Sequence, residues 1–174
     1  MNYNDFIKEL LDFNWQFELT DKNIRVNIGN AIDGKFTKTN DDFIQFIKSF
    51  KILANEEDNT WFIPLEEYIK KDEIEGFAWN EFEVESIKYA EDETQKNAIK
   101  NFWNNHLPFM MSVKSGYAYL AIVLDGENKG NIVSGNEPEY EETSIIASSL
   151  DEFFDKYIMI LKGELNFLTL KILS

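Results

Sequence analysis

Tyr117-Ala118-Tyr119-Leu120-Ala121-Ile122-Val123-Leu124 is the stretch on which the fold turns. It is short for a helix and ordinary for a strand, nearly all apolar, and rich in aromatic and β-branched residues. An apolar run without alternation implies that both faces are covered, which places the strand centrally in a sheet. Gly116 precedes it and Asp125-Gly126 follows it, so turn formers punctuate both ends. Gly130-Asn131-Ile132-Val133 then returns antiparallel across a short loop. Asp125 to Gly130 has the opening of a calcium loop. However, Lys129 stands where an oxygen ligand is needed, and no bidentate glutamate follows at the required place. The segment is therefore a turn.

Working outward toward the C-terminus, Glu137-Pro138-Glu139-Tyr140-Glu141-Glu142 carries four carboxylates. This is either a solvated loop or a contact surface for a basic partner. Ser144 to Ala147 is a further short apolar run. Ser149-Leu150-Asp151-Glu152 has the form of a capping box, with Ser149 as N-cap. Leu150, Phe153, Phe154, Tyr157, Ile158 and Leu161 then recur at helical spacing, so an aromatic stripe is expected to lie on the sheet. Leu165 to Leu173 is apolar and fits a strand or a helical extension equally.

Toward the N-terminus, Phe6, Leu10 and Phe13 predict a helix over Asp5 to Phe13, and the alternation in Asn14 to Leu19 allows a short strand. A second helix is expected from Thr20 to Ile28, ended by Gly29, with a turn at Ala31 to Gly34. Phe43, Phe46, Ile47 and Phe50 form one stripe of a helix that starts at Asn40 or Asp41. Asn55 to Asn59 is a polar loop. Trp61 to Ile63 is a short strand stopped by Pro64, and Leu65 to Lys70 is a helical turn or two. Glu81, Glu83 and Glu85 alternate with Phe82 and Val84, which predicts extended structure at the start of Phe77 to Tyr89. Thr94 is expected to cap a helix reaching Asn105. Leu107-Pro108-Phe109 should break it, and Met110 to Val113 is a candidate strand.

The whole chain has 174 residues, 44% of them hydrophobic and 15% aromatic, enough for one domain with a substantial core. The net charge is −15, and residues 55–95 hold fourteen acids against three bases. Such a chain repels phosphate backbones and anionic membranes, and attracts basic proteins. No apolar run is long enough to span a bilayer, and the absence of cysteine favours a cytoplasmic setting. Catalytic signatures are missing. There is one histidine, His106, beside a helix end, where it suits capping or packing. There is also one arginine, Arg25, and no phosphate loop, metalloprotease helix or nucleophile elbow. Paired carboxylates could in principle serve hydrolysis, yet no two of the acids are marked out. A binding role without cofactor or metal is expected, with Glu81, Glu83, Glu85, Glu137, Glu139, Glu141 and Glu142 as the candidate partner-binding residues.

Several features occur in a telling order. A helix stripe Asp42-Phe43-Ile44-x-Phe46-Ile47 precedes the short strand with Trp61-Phe62, then Leu107-Pro108-Phe109. Next come Gly116-Tyr117-x-Tyr119-Leu120-Ala121-Ile122, an Asp-Gly…Lys-Gly-x-Ile-Val hairpin, an acidic loop, and Ile146-Ala147-x-Ser149-Leu150-x-Glu152-Phe153-Phe154. Over residues 40–162, and most strongly over 107–158, this resembles the SUKH superfamily of bacterial toxin-immunity proteins and fungal regulators of cell-wall glucan synthesis. The resemblance implies one α+β domain over 1–174, with a mixed or antiparallel sheet of four to six strands flanked by helices. It also implies a protein that neutralises a cognate toxin domain, often a nuclease or deaminase, and supplies no catalytic residues. The fungal branch implies the alternative of an intracellular regulatory interaction module. Two features depart from the family: Phe50 to Asn55 replaces its glycine-rich turn, and 77–100 is longer and more acidic.

Overall fold

The computed structural model describes residues 1–20, 28–69 and 78–165; for residues 28–31 and 33 it describes the backbone. The fold is α+β. Seven strands form one sheet in chain order, β1 (Gln16–Leu19), β2 (Phe50–Ala54), β3 (Thr60–Phe62), β4 (His106–Ser112), β5 (Ala118–Val123), β6 (Ile132–Asn136) and β7 (Ser144–Ala147). Every neighbouring pair is antiparallel. The helices are α1 (Tyr3–Leu11), α2 (Asp41–Lys48), α3 (Leu65–Ile69), α4 (Glu81–Tyr89), α5 (Glu93–Asn104) and α6 (Leu150–Leu161), with a 3₁₀ segment over Ile28–Lys38.

The sheet lies between two helical layers, and adjacent strand residues show this. Phe62 turns to one side, meeting Phe6 of α1 at 5.7 Å and Phe46 of α2 at 5.4 Å. Its neighbour Trp61 turns to the other and lines a small cavity with Trp79. Phe109 of β4 meets Phe43 and Phe153 on the first side. Tyr119 of β5 meets Phe82 of α4 and Trp103 of α5 on the second. All six residues of β5 are buried, as its unbroken apolar run requires.

Capping follows side-chain chemistry. Asn2, Asn40, Asp92 and Ser149 each accept a backbone N–H of the first turn. The α5 cap is thus Asp92, not Thr94, because its carboxylate is set to take the Gln95 N–H at 2.8 Å. At α6 the reciprocal half of the capping box shifts by one residue. The Glu152 carboxylate accepts from the Ser148 N–H and hydroxyl, and pairs with Lys156 at 2.6 Å. Bonding to Lys156, then to Ser148, holds Glu152 down to a pKa of about 2. A lowered carboxyl pKa contributes stability above the unfolded glutamate range, and that contribution fades as pH falls toward 2. In urea titrations, the deficit of Glu152→Gln should therefore be largest above about pH 4.5 and shrink in more acid solution. A deficit constant across that range would show that the charge of Glu152 adds nothing.

Several expectations are corrected. The sheet has seven strands rather than four to six, because Phe50 begins β2 instead of ending the α2 stripe. The α2 helix stops at Lys48, and the Phe50 ring still packs on Phe46 at 5.3 Å from its strand position. β4 begins at His106 and passes through Pro108. A proline has no ladder hydrogen to give, and the register shifts between Pro108 and Met110. Ala31 to Gly34 lies within the 3₁₀ segment, and α1 stops at Leu11, with the Phe13 N–H still reaching the Leu10 carbonyl. The expected helix from Thr20 falls largely outside the described residues, as does nearly all of Leu165 to Leu173.

Candidate functional site

Glu81, Glu83 and Glu85 sit on a helix, not on a strand. Alternation over five residues would put Phe82 and Val84 on one face, yet Phe82 is buried while Val84 is 51% exposed. Glutamate is a good helix former, and Glu81 and Glu83 lie in the first turn, where the helix dipole favours anions. Helical spacing puts Glu85 on the same side as Glu81 and sends Glu83 to the other.

The β6–β7 loop is pinned by its aromatic residue. Tyr140 is buried, with its ring 4.6 Å from Phe82. Its carbonyl accepts the Tyr119 hydroxyl at 2.5 Å, and its own hydroxyl donates to Glu85 Oε2 at 3.2 Å. Burial first, then the Glu85 charge, raises the Tyr140 pKa, so the hydroxyl remains a donor. One residue on, Glu141 Oε1 accepts the Trp103 indole N–H at 2.7 Å. The Glu137 N–H donates to Tyr117 O and the Glu142 N–H to Glu139 O. The loop therefore presents its carboxylates from a fixed frame.

Glu85 and all four loop glutamates line one cavity of about 740 Å³ between α4, α5 and the loop. Ser86, Tyr89, Gln95, Ile99, Pro138 and Tyr140 line it too, and among the described residues no lysine or arginine contributes to it. Its size falls in the range of ordinary ligand pockets. Glu83 lines a different cavity of about 330 Å³ with Trp79, Val84 and Ile87, and Glu81 lines neither. Five of the seven expected acids are thus brought together.

Sequence reasoning missed Tyr89, Ile99 and above all Tyr140 as parts of the site. A lone aromatic among four glutamates was the available signal, because such a ring gains more from burial than from solvent. His106 packs as its position suggested. Its ring stacks on Phe102 at 3.9 Å, and Nδ1 lies 2.8 Å from the Phe102 carbonyl. Burial lowers its pKa, outweighing the opposing pull of that carbonyl. Among the described residues no cluster of His, Asp and Glu could hold a metal ion, and no helix is long and apolar enough to cross a membrane. Comparison with protein-family models, curated proteins and solved structures gave no match for this chain.

Proposed function

We propose that this chain is an immunity protein that binds a basic toxin domain, seating a cationic segment of it in the groove between α4, α5 and the β6–β7 loop and so blocking its active site. The observation that carries the reading is the convergence of Glu85 with Glu137, Glu139, Glu141 and Glu142 around one concavity to which no described basic residue contributes. The choice of a toxin as partner rests on the resemblance to the SUKH superfamily. A domain that cuts or edits nucleic acid needs a positive surface, and an acidic groove complements it in place of phosphate. The net charge of −15 would also speed encounter.

The test begins with co-purification of the tagged chain with the C-terminal domain of any secreted protein encoded beside it, followed by rescue of cells expressing that domain. Failure of both binding and rescue would count against the toxin assignment. For a complex that forms, Glu137→Gln/Glu139→Gln/Glu142→Gln removes three exposed charges and leaves the bonded Glu85 and Glu141 in place. Its association rate should fall about tenfold at low salt and vary less with salt. Glu81→Gln/Glu83→Gln should slow association less, since neither residue lines this groove. Equal effects of the two variants would move the interface elsewhere.

A further inference from the structure

The groove has one weakly held wall. Of the nine side chains of α4, only Phe82 is buried. Val84 and Tyr89 are 51% and 69% exposed, and no side chain caps the helix at Asn80. A helix of nine residues has little stability of its own, and an element with few buried apolar contacts opens at low cost. Cavities flank α4 on both sides, one reached by Glu85 and the other by Glu83, Val84 and Ile87. Between these cavities α4 rests on the core through buried Phe82 and partly buried Ile87. Phe82 itself rests on Tyr119 and on Tyr140, the same tyrosine whose hydroxyl reaches Glu85. Tyr140 thus joins the helix to the acidic loop through a ring contact and a hydrogen bond.

We infer that α4 is a movable jaw of the acidic groove, pivoting on the Phe82–Tyr140 contact and closing on an extended lysine- or arginine-bearing segment of the partner. Glu85 shares the cavity with the four loop carboxylates, and like charges across the opening resist closure. A cationic chain laid between them removes that repulsion and bridges both walls. The exposed ring of Tyr89, at the C-terminal end of α4, already holds the Lys88 ammonium 5.3 Å from its centroid, so a cationic head from the partner would have to take that contact over. The inference rests on the proposed groove but adds the moving part and the chemistry that moves it.

The test uses the full chain and an octalysine peptide. Binding is read by calorimetry and motion by amide hydrogen exchange, with octaglutamate as the control peptide. At peptide concentrations about 100 times Kd, exchange through openings of α4 should slow by up to about a hundredfold, while the α1 amides are unaffected. Binding should weaken in the Glu137→Gln/Glu139→Gln/Glu142→Gln variant and persist in Asp41→Asn/Asp42→Asn, which removes exposed charge at α2. Tyr140→Phe keeps the ring and deletes the bond to Glu85, so the free protein should exchange its α4 amides about five- to tenfold faster. Groove-dependent binding with α4 exchange unchanged would overturn the jaw and leave a rigid acidic groove. Absent binding, or binding equal in both charge variants, would overturn the cationic occupant as well. A toxin that docks on another face, with the peptide still closing α4, would sink the proposed interface alone.

Discussion

Phe153→Ala is expected to lower the unfolding free energy by about 3–5 kcal/mol, and Phe154→Ala by a similar amount. Both rings are fully buried. Phe153 sits among Phe109 at 5.6 Å, Tyr157 at 5.5 Å, Phe6 at 6.2 Å and Phe62 at 6.4 Å. Phe154 stacks on Phe6 at 4.2 Å and meets Phe46 at 5.0 Å. These neighbours come from α1, α2, β3 and β4 as well as α6 itself. The cavity left by a lost ring is walled by elements that already support one another, so it collapses only in part. Met159→Ala on the same helix is the comparison, because Met159 is 39% exposed and should cost less than about 1 kcal/mol. Guanidinium denaturation of the three variants decides the matter. Losses under about 1 kcal/mol for both phenylalanines would mean that α6 does not close this layer.

Gly135→Ala should also destabilise, by about 3 kcal/mol at the upper end of the usual overpacking range. The added methyl would lie 2.5–2.6 Å from the hydroxyl oxygen, Cε1 and Cζ of Tyr119, its register partner on β5. Such an approach cannot persist, and the ring has little room to retreat. It is held between Phe82 at 5.4 Å and Trp103 at 5.1 Å, and its hydroxyl is bonded to the Tyr140 carbonyl. The sign is diagnostic. Gly135 does not occupy the left-handed region, so with free space alanine there would stabilise the strand by restricting the unfolded chain. In a double-mutant cycle, Gly135→Ala should cost at least about 1 kcal/mol less when Tyr119 is already alanine. Additive losses would show that the glycine does not make room for the ring. The displaced ring would also loosen Tyr140, so the same substitution should weaken the binding proposed for the groove.

The legibility of the fold differs from element to element for identifiable reasons. The β5 run, the hairpin after it and the α6 stripe were plain in the sequence, because turn chemistry and a single apolar period act over a few residues. The α4 helix was misread because Glu81 to Glu85 is compatible with either period. The choice was made by Phe82 finding Tyr119 and Tyr140, which lie 37 and 58 positions away. β2 was hidden because Phe50 continues the α2 spacing, and only the pairing with β1 and β3 distinguishes a strand residue from a helical one. The acids of the groove were all visible as acids. Their grouping was not, since Glu85 reaches the β6–β7 loop only through the packing of α4 on the second face of the sheet.

The sequence by itself determined the composition of the core, the acidity, the starts of α2, α3 and α6 and the central strand with its return. These follow from periodicity, side-chain capping and turn preference, each of which is local. Only the tertiary structure decided which carboxylates share a cavity, that Tyr140 ties α4 to the loop, and that Gly135 lies under Tyr119. Those outcomes depend on strand register and on helix packing across the sheet, where residues far apart in the chain compete for one space.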